Sequence, residues 1–366
     1  MKIVIRAGGV GTRLWPWSRS DRPKQFLPIF ERRSCVQVVY NRFNQSALAE
    51  PKDIYISVGE DHAQLAQAQL PQLPPDNIIR EPATRDTAAA IGLETIWVAS
   101  ENPEAIIASL GSDHYCGKPD VFLEALEAAE SFISENPSQL VAIACEPTRI
   151  ETNYGHIKKG ARLSEDAGVP VYEADEFTEK PNFPTAKEYM ESGQYLWNAN
   201  FFAWRADTML QMFKQFEPEM HETLMELKEA HEQGSFEEAL NEKYPYIKKV
   251  AIDYAVLEPA SRKGKLAVIP ADMAWSDIGS WATLTDAFPP DEDGNLFDGP
   301  VIGEETEDTT VVVRNQARKV VATIGIENLA IVDTEDALLV CRKDQSGKVK
   351  KLVQEMKESE KWQDLV

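Results

Sequence analysis

The sequence opens with KIVIRAGGVGTRLWP, residues 2–16, and this stretch decides the fold that we expect. Lys2 to Ile5 is a short apolar run that predicts a buried strand, and three glycines follow it closely. A glycine turn after a buried strand lets backbone N–H groups approach an anion, and Arg13 and Lys24 supply positive charge. The spacing fits neither the P-loop nor the dinucleotide fingerprint, since Leu14 stands where the latter has its third glycine. We expect a phosphate-binding loop of another kind; the alternative is a tight turn with two solvated cations.

Strand-like runs alternate with helical patterns along the first part of the chain. The strand-like runs are 2–5, 53–58, 105–110 and 140–144. The helical patterns are 36–44, 62–69, 87–99 and 121–134. This alternation predicts a Rossmann-like, doubly wound α/β sheet, in which ligands bind at the carboxyl ends of the strands. From residue 153 to 281 the pattern loosens, and we expect short strands mixed with an acidic helical region, 206–241.

A stretch dense in Pro, Gly and Asp, FPPDEDGNLFDGPVIG at 288–303, predicts a domain boundary. We therefore expect a catalytic domain at 1–287 and a small C-terminal domain at 288–366. The C-terminal domain has short β-branched runs at 309–313, 319–323, 329–333 and 337–341, followed by a charged amphipathic helix at 348–362. Short strands at this spacing predict an all-β module.

Charge and cysteine content narrow the class of protein. The formal net charge is −22, which argues against a nucleic-acid binder because such proteins need a broad basic footprint. The four cysteines are far apart and form no C-x-x-C pair, so we expect buried free thiols. The N-terminal apolar run is too short for a signal peptide, and no run approaches the length of a membrane-spanning helix. We expect a cytoplasmic protein without a membrane partner.

The glycine motif continues with LWPWSR at 14–19 and PKQF at 23–26. It resembles the signature G-G-x-G-[ST]-R-[LF]-x-P-x-[ST]…P-K of the nucleotidyltransferases that make nucleotide sugars. The form with Trp before Pro and with Pro-Lys-Gln-Phe is that of the mannose-1-phosphate guanylyltransferases. Further motifs follow in the family's order: EPATRDTA (81–88), SDH (112–114), NYGHI (153–157), FTEKP (177–181), WNANFF (197–202), DYA (253–255) and WSDIGSW (275–281). Residues 327–334 and 337–341 are similar to the family's left-handed β-helix module.

The resemblance implies roles for particular residues. Catalysis falls to Arg13 and Lys24, which bind the triphosphate. The nucleotide is bound by Ala7, Gly8, Gly9, Gly11, Thr12, Glu81, Pro82, Arg85 and Thr87. The sugar phosphate is bound by Gly155, Glu179, Lys180 and Asn198. Asp113 and Asp277 hold Mg²⁺.

Elementary chemistry explains why some of these residue types suit their implied roles, and for some residues a purely structural role is an alternative. A carboxylate such as Glu81 can accept from guanine N1–H and N2–H, which adenine lacks. An Asp at the end of a strand, such as Asp113, suits Mg²⁺ held by one or two carboxylates and substrate phosphates, the alternative being a cap on the next turn. Asp86 or Thr87 can cap the helix that follows them. The two Trp residues of the 275–281 motif are expected to pack.

Six positions depart from the family's pattern, and one of them is His156, which stands where the family's NYGHI-like motif has a second Tyr. Arg6 stands where the family usually has an aliphatic residue, and its side chain reaches either solvent or a phosphate. The others are Asp86 for Asn, Ala89 for Pro, Ala199 for Ser and Asn200 for Gly.

The resemblance implies transfer of GMP from GTP to α-D-mannose 1-phosphate, giving GDP-mannose and pyrophosphate, and a homodimer. One alternative is a nucleotidyltransferase for another sugar 1-phosphate or another nucleoside triphosphate. A second is a catalytically silent paralogue that binds nucleotide sugar and regulates a partner. Such paralogues typically lose a cation of the glycine loop or a metal-binding Asp, and this chain keeps all four.

Overall fold

The computed structural model describes residues 1–9, 11–29, 33–166, 168–315 and 319–366. The strands, in chain order, are β1 (Lys2–Arg6), β2 (Ile54–Gly59), β3 (Ile78–Glu81), β4 (Ile106–Gly111), β5 (Tyr115–Cys116), β6 (Leu140–Cys145), β7 (Gly155–Asp166), β8 (Val169–Glu179), β9 (Tyr195–Arg205), β10 (Leu266–Pro270), β11 (Trp275–Ser276), β12 (Leu296–Asp298), β13 (Val301–Glu307), β14 (Thr310–Val313), β15 (Val321–Glu327), β16 (Leu329–Asp333) and β17 (Leu338–Arg342). The α-helices are α1 (Cys35–Asn44), α2 (Glu60–Gln69), α3 (Asp86–Glu101), α4 (Pro119–Glu135), α5 (Phe183–Ser192), α6 (Ala206–Phe216), α7 (Pro218–Gln233), α8 (Phe236–Lys243), α9 (Glu258–Ser261) and α10 (Val349–Lys357).

One mixed sheet of nine strands carries the fold, in the order β3-β2-β1-β4-β9-β6-β10-β8-β7. β1 lies between β2 and β4 and runs parallel to both, with Ile5 paired to Ile56 and to Leu110. The order of the strands therefore reverses at β1, which is where a doubly wound sheet offers its binding edge. The predicted α/β class is confirmed, and so are the elements predicted over the first part of the chain.

The expectation of short strands between residues 153 and 281 holds for β10 and β11 but is wrong for the three strands before them. β7, β8 and β9 have 12, 11 and 11 residues and belong to the nine-stranded sheet. β7 is the last strand in this order, although its residues 156–158 also pair with β9, and most side chains of β8 are not fully buried. These two strands therefore lack the continuous apolar runs by which the other strands are recognised. The acidic helical region is present as α6, α7 and α8.

The chain forms two compact units, each assembled from separate segments. The first consists of Met1–Gly8, Val39–Ser112 and Lys118–Met273. The second consists of Gly9–Val38, Asp113–Gly117 and Ala274–Val366. The units divide the chain along lines other than the predicted boundary at residue 288, so the proposal of separate domains at 1–287 and 288–366 stays a prediction.

The core of the first unit packs helices against the large sheet. Val4 of β1, Ile91 of α3, Trp204 of β9 and Leu224 of α7 all belong to it. α3 and α7 approach closely because Gly92 has no side chain: a Cβ there would lie 2.7 Å from Cδ1 of Leu224. Close packing of this kind holds α3 firmly over β1 and β4.

The core of the second unit joins the tryptophan-rich motif to the C-terminal strands. Trp17 and Trp281 stack with their ring centroids 6.5 Å apart, and Trp281 donates to the carbonyl of Trp15. Val332 of β16 and Val349 of α10 lie in the same core. Packing was expected for Trp281 and is confirmed.

The C-terminal strands form the β-helix-like module expected from the sequence. β12, β14 and β16 run parallel to one another, β13 runs parallel to β15, and β17 pairs antiparallel with β16. Stacked parallel strands with such short connections are the pattern of a coiled β solenoid. The helix predicted at 348–362 is shorter in the structure and ends at Lys357.

Two further expectations concern the burial of the cysteines and the length of apolar helices. Cys35, Cys116 and Cys145 are buried and Cys341 is half-buried, all as free thiols. Within the part of the chain that the structure describes, no helix combines the length and the apolar character needed to cross a bilayer.

Candidate active site

The glycine loop is shaped by two left-handed residues. Gly9 and Gly11 have φ values of +87° and +68°, a region that side-chain-bearing residues rarely adopt. A Cβ on Gly11 would lie 2.5 Å from Cβ of Lys24, so this glycine also permits a close approach between two chain segments. Gln25 donates from Nε2 to the carbonyl of Gly9 at 3.0 Å and ties the loop down. Val10 lies outside the described residues.

Lys24 contacts both residues that were predicted to bind the metal, one through its carboxylate and the other through its main-chain carbonyl. Its side chain is only 4% exposed, and its Nζ lies 3.0 Å from Oδ2 of Asp113. The same Nζ donates to the main-chain carbonyl of Asp277, a residue 253 positions away in the chain. The structure therefore brings Lys24, Asp113 and Asp277 together.

Asp113 is held as a carboxylate. Burial raises its pKa, but the positive charge of Lys24, with smaller contributions from His114 and a hydrogen bond from Lys24, outweighs burial and sets the pKa at about 2. Nε2 of His114 lies 3.5 Å from Oδ1 of Asp113, while its Nδ1 accepts a hydrogen bond from the indole of Trp275. His114 is thus oriented from one side by an aromatic donor and faces Asp113 from the other.

Arg13 and Asp277 meet across a glycine. Oδ1 of Asp277 accepts a hydrogen bond from the N–H of Gly279 at 2.9 Å. A Cβ on Gly279 would lie 2.3 Å from Oδ2 of Asp277 and 3.2 Å from Nη2 of Arg13. The missing side chain therefore leaves a space bordered by one carboxylate and one guanidinium.

The backbone beside Asp277 is strained. Ile278 has a φ of +40° although it is β-branched, and its side chain is fully buried. Residues in this region carry a conformational cost of about 1–3 kcal/mol and tend to cluster at functional sites. In this conformation the main-chain carbonyl of Asp277 accepts from Lys24, and its carboxylate accepts from the N–H of Gly279.

The donor set of the second unit fits a hard divalent cation. Asp113 and Asp277 supply two carboxylates, and Gly279 keeps the space beside Asp277 open. Among the described residues there is no group of three or more His, Cys, Asp and Glu side chains that could hold a metal by themselves. Mg²⁺ is commonly bound in such incomplete sites, because it keeps waters and takes further oxygens from substrate phosphates.

In the first unit, the EPATRDTA segment links β3 to α3. Glu81 accepts a hydrogen bond from Tyr244 at 2.7 Å, and burial raises the pKa of Glu81. Nε of Arg85 is buried and has no hydrogen-bond partner among the described residues. The hydroxyl of Thr87 accepts from the N–H of Ile252 at 2.8 Å. A buried donor without a partner is the kind of group that a ligand can satisfy.

The expectation that Asp86 or Thr87 caps α3 is wrong. Asp86 has a φ of +67°, and its Oδ1 accepts from the N–H of the adjacent Thr87, whereas a cap would bond an N–H further into the first turn. Among the described residues, no side chain caps the start of α3. Pro82 is half-buried in the same segment.

The four predicted sugar-phosphate residues lie together in the first unit. A Cβ on Gly155 would lie 2.6 Å from Oε2 of Glu179 and 3.2 Å from Cβ of Asn198. Lys180 forms an ion pair with Glu179 and is 57% exposed. Burial raises the pKa of Glu179 even though Lys180 lies beside it. Only three elements, β7, β8 and β9, are needed to assemble this group.

Asp253, the first residue of the DYA motif at 253–255, extends this group. It accepts a hydrogen bond from Nδ2 of Asn198 at 3.1 Å. Burial, followed by the negative charge of Glu179, raises the pKa of Asp253. It opens a π-helical turn, Asp253–Leu257, an irregularity that is frequent at functional sites.

Sequence reasoning left Arg6 undecided and did not single out Glu94 or Tyr244. Arg6 is 7% exposed, which contradicts the first of its two alternatives, that it reaches solvent; its guanidinium donates hydrogen bonds to Ser109 and Asn200. For Glu94 the sequence did contain a signal, because this charged residue lies in the mostly apolar run AAAIGLETIWVA at 88–99. No local signal points to the contact between Tyr244 and Glu81, which are 163 positions apart.

Known proteins resemble this chain over nearly its whole length. The profile of the family described as Nucleotidyl transferase matches residues 2–294, and that of the MannoseP isomerase/GMP-like beta-helix domain matches residues 299–356. A mannose-1-phosphate guanylyltransferase of Klebsiella pneumoniae is 36% identical over 361 residues, covering 98% of this chain and 74% of that protein. The xanthan biosynthesis protein XanB of Xanthomonas campestris is 32% identical over 357 residues, covering 97% and 73%. A crystal structure from Thermus thermophilus, described as a mannose-1-phosphate geranyltransferase, superposes with a TM-score of 0.83 at 32% identity, covering 97% of this chain and 99% of that one.

Proposed function

Because this chain belongs to the nucleotidyl transferase family, among the mannose-1-phosphate guanylyltransferases, we propose that it makes GDP-mannose and pyrophosphate from GTP and α-D-mannose 1-phosphate. The observation that carries this proposal is the cluster around Lys24, whose Nζ contacts Asp113 and the backbone of Asp277. A buried cation beside two carboxylates suits the handling of a metal-bound triphosphate.

The reaction needs no general base. An oxygen of the sugar phosphate forms a bond to the α-phosphorus of GTP, the bond from that phosphorus to the α,β-bridging oxygen breaks, and pyrophosphate leaves with the electron pair. The attacking oxygen already carries negative charge, so catalysis reduces to positioning and charge neutralisation. We assign Arg13 and Lys24 to the leaving and bridging oxygens. The backbone N–H groups of the glycine loop, from Ala7 to Thr12, are assigned to the same triphosphate.

Asp113 and Asp277 would hold Mg²⁺. When bound, the ion supplies charge neutralisation to the α-phosphate and the sugar phosphate. In the structure Lys24 pairs with Asp113, and binding of a cation at that carboxylate would release the Lys24 ammonium for the phosphates. Asp113 is ready for such an exchange because its pKa of about 2 keeps it ionised at neutral pH.

The residues of the first unit are assigned to the base and the sugar. Glu81 would accept from guanine N1–H and N2–H, with Arg85, Pro82 and Thr87 contributing to nucleotide binding. Glu179 and Asn198 would hold sugar hydroxyls, Lys180 would pair with the sugar phosphate, and Gly155 gives the sugar room to approach. The homodimer and the cytoplasmic location stay predictions.

The proposal is tested by pyrophosphate release with a panel of nucleoside triphosphates and sugar 1-phosphates. We expect GTP with mannose 1-phosphate to give the highest kcat/KM. Another preferred pair would make the chain a nucleotidyltransferase of different specificity, and binding of GDP-mannose without any turnover would identify a silent paralogue.

Asp277→Asn tests the metal assignment within that assay. Removing one carboxylate should lower kcat by about a hundredfold or more and raise the Mg²⁺ concentration needed for half-maximal rate. Asp293→Asn, an exposed Asp in the same unit, is the matched control and should match the wild type. Normal turnover and normal Mg²⁺ dependence in Asp277→Asn would show that the assignment is wrong.

A further inference from the structure

A buried arginine connects the large sheet to the predicted sugar-phosphate residues. Arg6 is the last residue of β1, and its side chain lies inside the first unit. Nη1 donates to Oγ of Ser109 at 2.6 Å. Nη2 donates to both oxygens of Asn200, the main-chain carbonyl at 2.8 Å and Oδ1 at 2.7 Å. One end of the planar guanidinium therefore grips a single residue of β9 by backbone and side chain together.

A hydroxyl connects Arg6 to the buried carboxyl group of Glu94. Ser109 accepts from Arg6 and donates to Oε2 of Glu94 at 2.6 Å. Glu94 lies on α3 and is fully buried. Buried ion pairs rarely stabilise a protein relative to apolar residues of similar size, so their use for fixing one conformation is a hypothesis to be tested in each protein. For Arg6, this hypothesis requires a part of the structure whose conformation it fixes.

Asn200, to which Arg6 donates, belongs to a β-bulge in β9. Along the pairing with β6, Ile143 faces Phe201 but the next residue, Ala144, faces Asn198. Ala199 and Asn200 are thus extra residues, and Asn200 has a left-handed φ of +59°. Bulges bend a strand and redirect its side chains, and they are frequent next to active sites. These are the two positions at which the chain departs from the family's Ser and Gly.

The bulge in turn orients Asn198. The N–H of Asn200 donates to Oδ1 of Asn198 at 3.0 Å, while Nδ2 of Asn198 donates to Asp253 at 3.1 Å. The side-chain amide of Asn198 is therefore held in one orientation, with its oxygen toward the N–H of Asn200 and its nitrogen toward Asp253. Because an Asn side chain has two N–H donors and two acceptor lone pairs, one of each remains for a sugar hydroxyl.

We propose that Arg6 is a positioning residue for the sugar phosphate: it clamps the Ala199–Asn200 bulge and thereby fixes the orientation of the Asn198 amide. This rests on the proposed function, in which Asn198 holds sugar hydroxyls. Arg6 itself contacts no substrate, and no role in nucleotide binding is assigned to it.

The first test replaces both members of the buried pair. Arg6→Leu with Glu94→Leu removes the grip on Asn200 without leaving a buried charge unpaired. We expect KM for mannose 1-phosphate to rise about tenfold, the effect of one misoriented hydrogen bond, while KM for GTP stays within about twofold. KM does not depend on how much of the enzyme is folded, so partial misfolding lowers kcat without producing this split.

Two further variants separate positioning from stability. Asn200→Gly keeps the Arg6–Ser109–Glu94 pair and tolerates the left-handed φ, but removes one of the two acceptors; it should raise KM for mannose 1-phosphate by a smaller factor. Arg6→Lys keeps a positive charge near Glu94 but cannot reach both Ser109 and Asn200. It should recover most of the thermal stability of wild type while KM for the sugar phosphate stays raised.

The control is Arg162→Leu with Glu165→Leu, an exposed Arg–Glu pair on β7, which should leave both KM values unchanged. An unchanged KM for mannose 1-phosphate in the Arg6/Glu94 double variant, or an equal rise in both KM values, would overturn the positioning role. Failure of the wild type to make GDP-mannose would instead refute the proposed function, so the two failures are distinguishable.

Discussion

A series of three Gly→Ala variants tests how the phosphate loop is built. The three glycines of the loop differ in what a Cβ would meet. Gly8 has an ordinary φ and open space, Gly9 has a φ of +87° and open space, and Gly11 has a φ of +68° with Cβ of Lys24 only 2.5 Å away. A Gly→Ala substitution therefore introduces no strain at Gly8 and backbone strain alone at Gly9. At Gly11 it introduces both backbone strain and a steric overlap with Lys24.

The expected changes in the free energy of unfolding follow from these differences. Gly8→Ala should be neutral or stabilise by up to about 1 kcal/mol, because Ala restricts the unfolded chain. Gly9→Ala should destabilise by about 1–2 kcal/mol, the value for an L-residue in the left-handed region. Gly11→Ala adds an overlap with the buried stem of Lys24, and overpacking of this kind typically adds about 1–3 kcal/mol, giving about 2–5 kcal/mol in all.

The assay is urea unfolding without substrates, followed by tryptophan fluorescence. Trp204 is fully buried in the core of the first unit, to which Gly8 belongs. Trp281 is fully buried in the core of the second unit, to which Gly9, Gly11 and Lys24 belong, so tryptophan emission reports on both units. The midpoints should fall in the order Gly8→Ala, Gly9→Ala, Gly11→Ala. If Gly11→Ala were no less stable than Gly9→Ala, the close approach to Lys24 would not constrain the loop and the reasoning would be refuted.

Two more predictions concern pH and salt. Burial, opposed mainly by Arg6, raises the pKa of Glu94 from 4.5 to about 7, so the folded state binds this proton more tightly than the unfolded chain and stability should fall as pH rises through that interval. Glu94→Gln should therefore lose less stability than wild type between about pH 5 and about pH 8, as measured by urea midpoints, and an equal loss in both proteins would mean that Glu94 does not titrate there. The net charge of −22 should slow the encounter with GTP, so kcat/KM should rise when salt increases from about 20 to about 150 mM. A fall over that range would indicate that the local field of Arg13 and Lys24 dominates the encounter.

Much of the fold could be predicted because it rests on local patterns. The runs around Ile3 to Ile5 and the helical period of α3 identify their elements without reference to the rest of the chain. β7 and β8 could not be predicted in this way, because the side chains of strands near a sheet edge are only partly buried and carry a weak pattern. The shared core of Trp17, Trp281 and Val332 was also hidden, since it joins segments far apart in the chain.

The α/β class and the glycine loop with its cations, Arg13 and Lys24, could be predicted from local patterns, whereas the roles of the two Asp residues were implied by the resemblance of their motifs to those of the family. Only the tertiary structure decided which of these groups meet: Lys24 reaches Asp113, 89 positions away, and the carbonyl of Asp277, 253 positions away. It also decided that Arg6 turns inward to Asn200. Contacts of this kind depend on how distant segments pack, and packing is set by the whole core and by no local stretch of sequence.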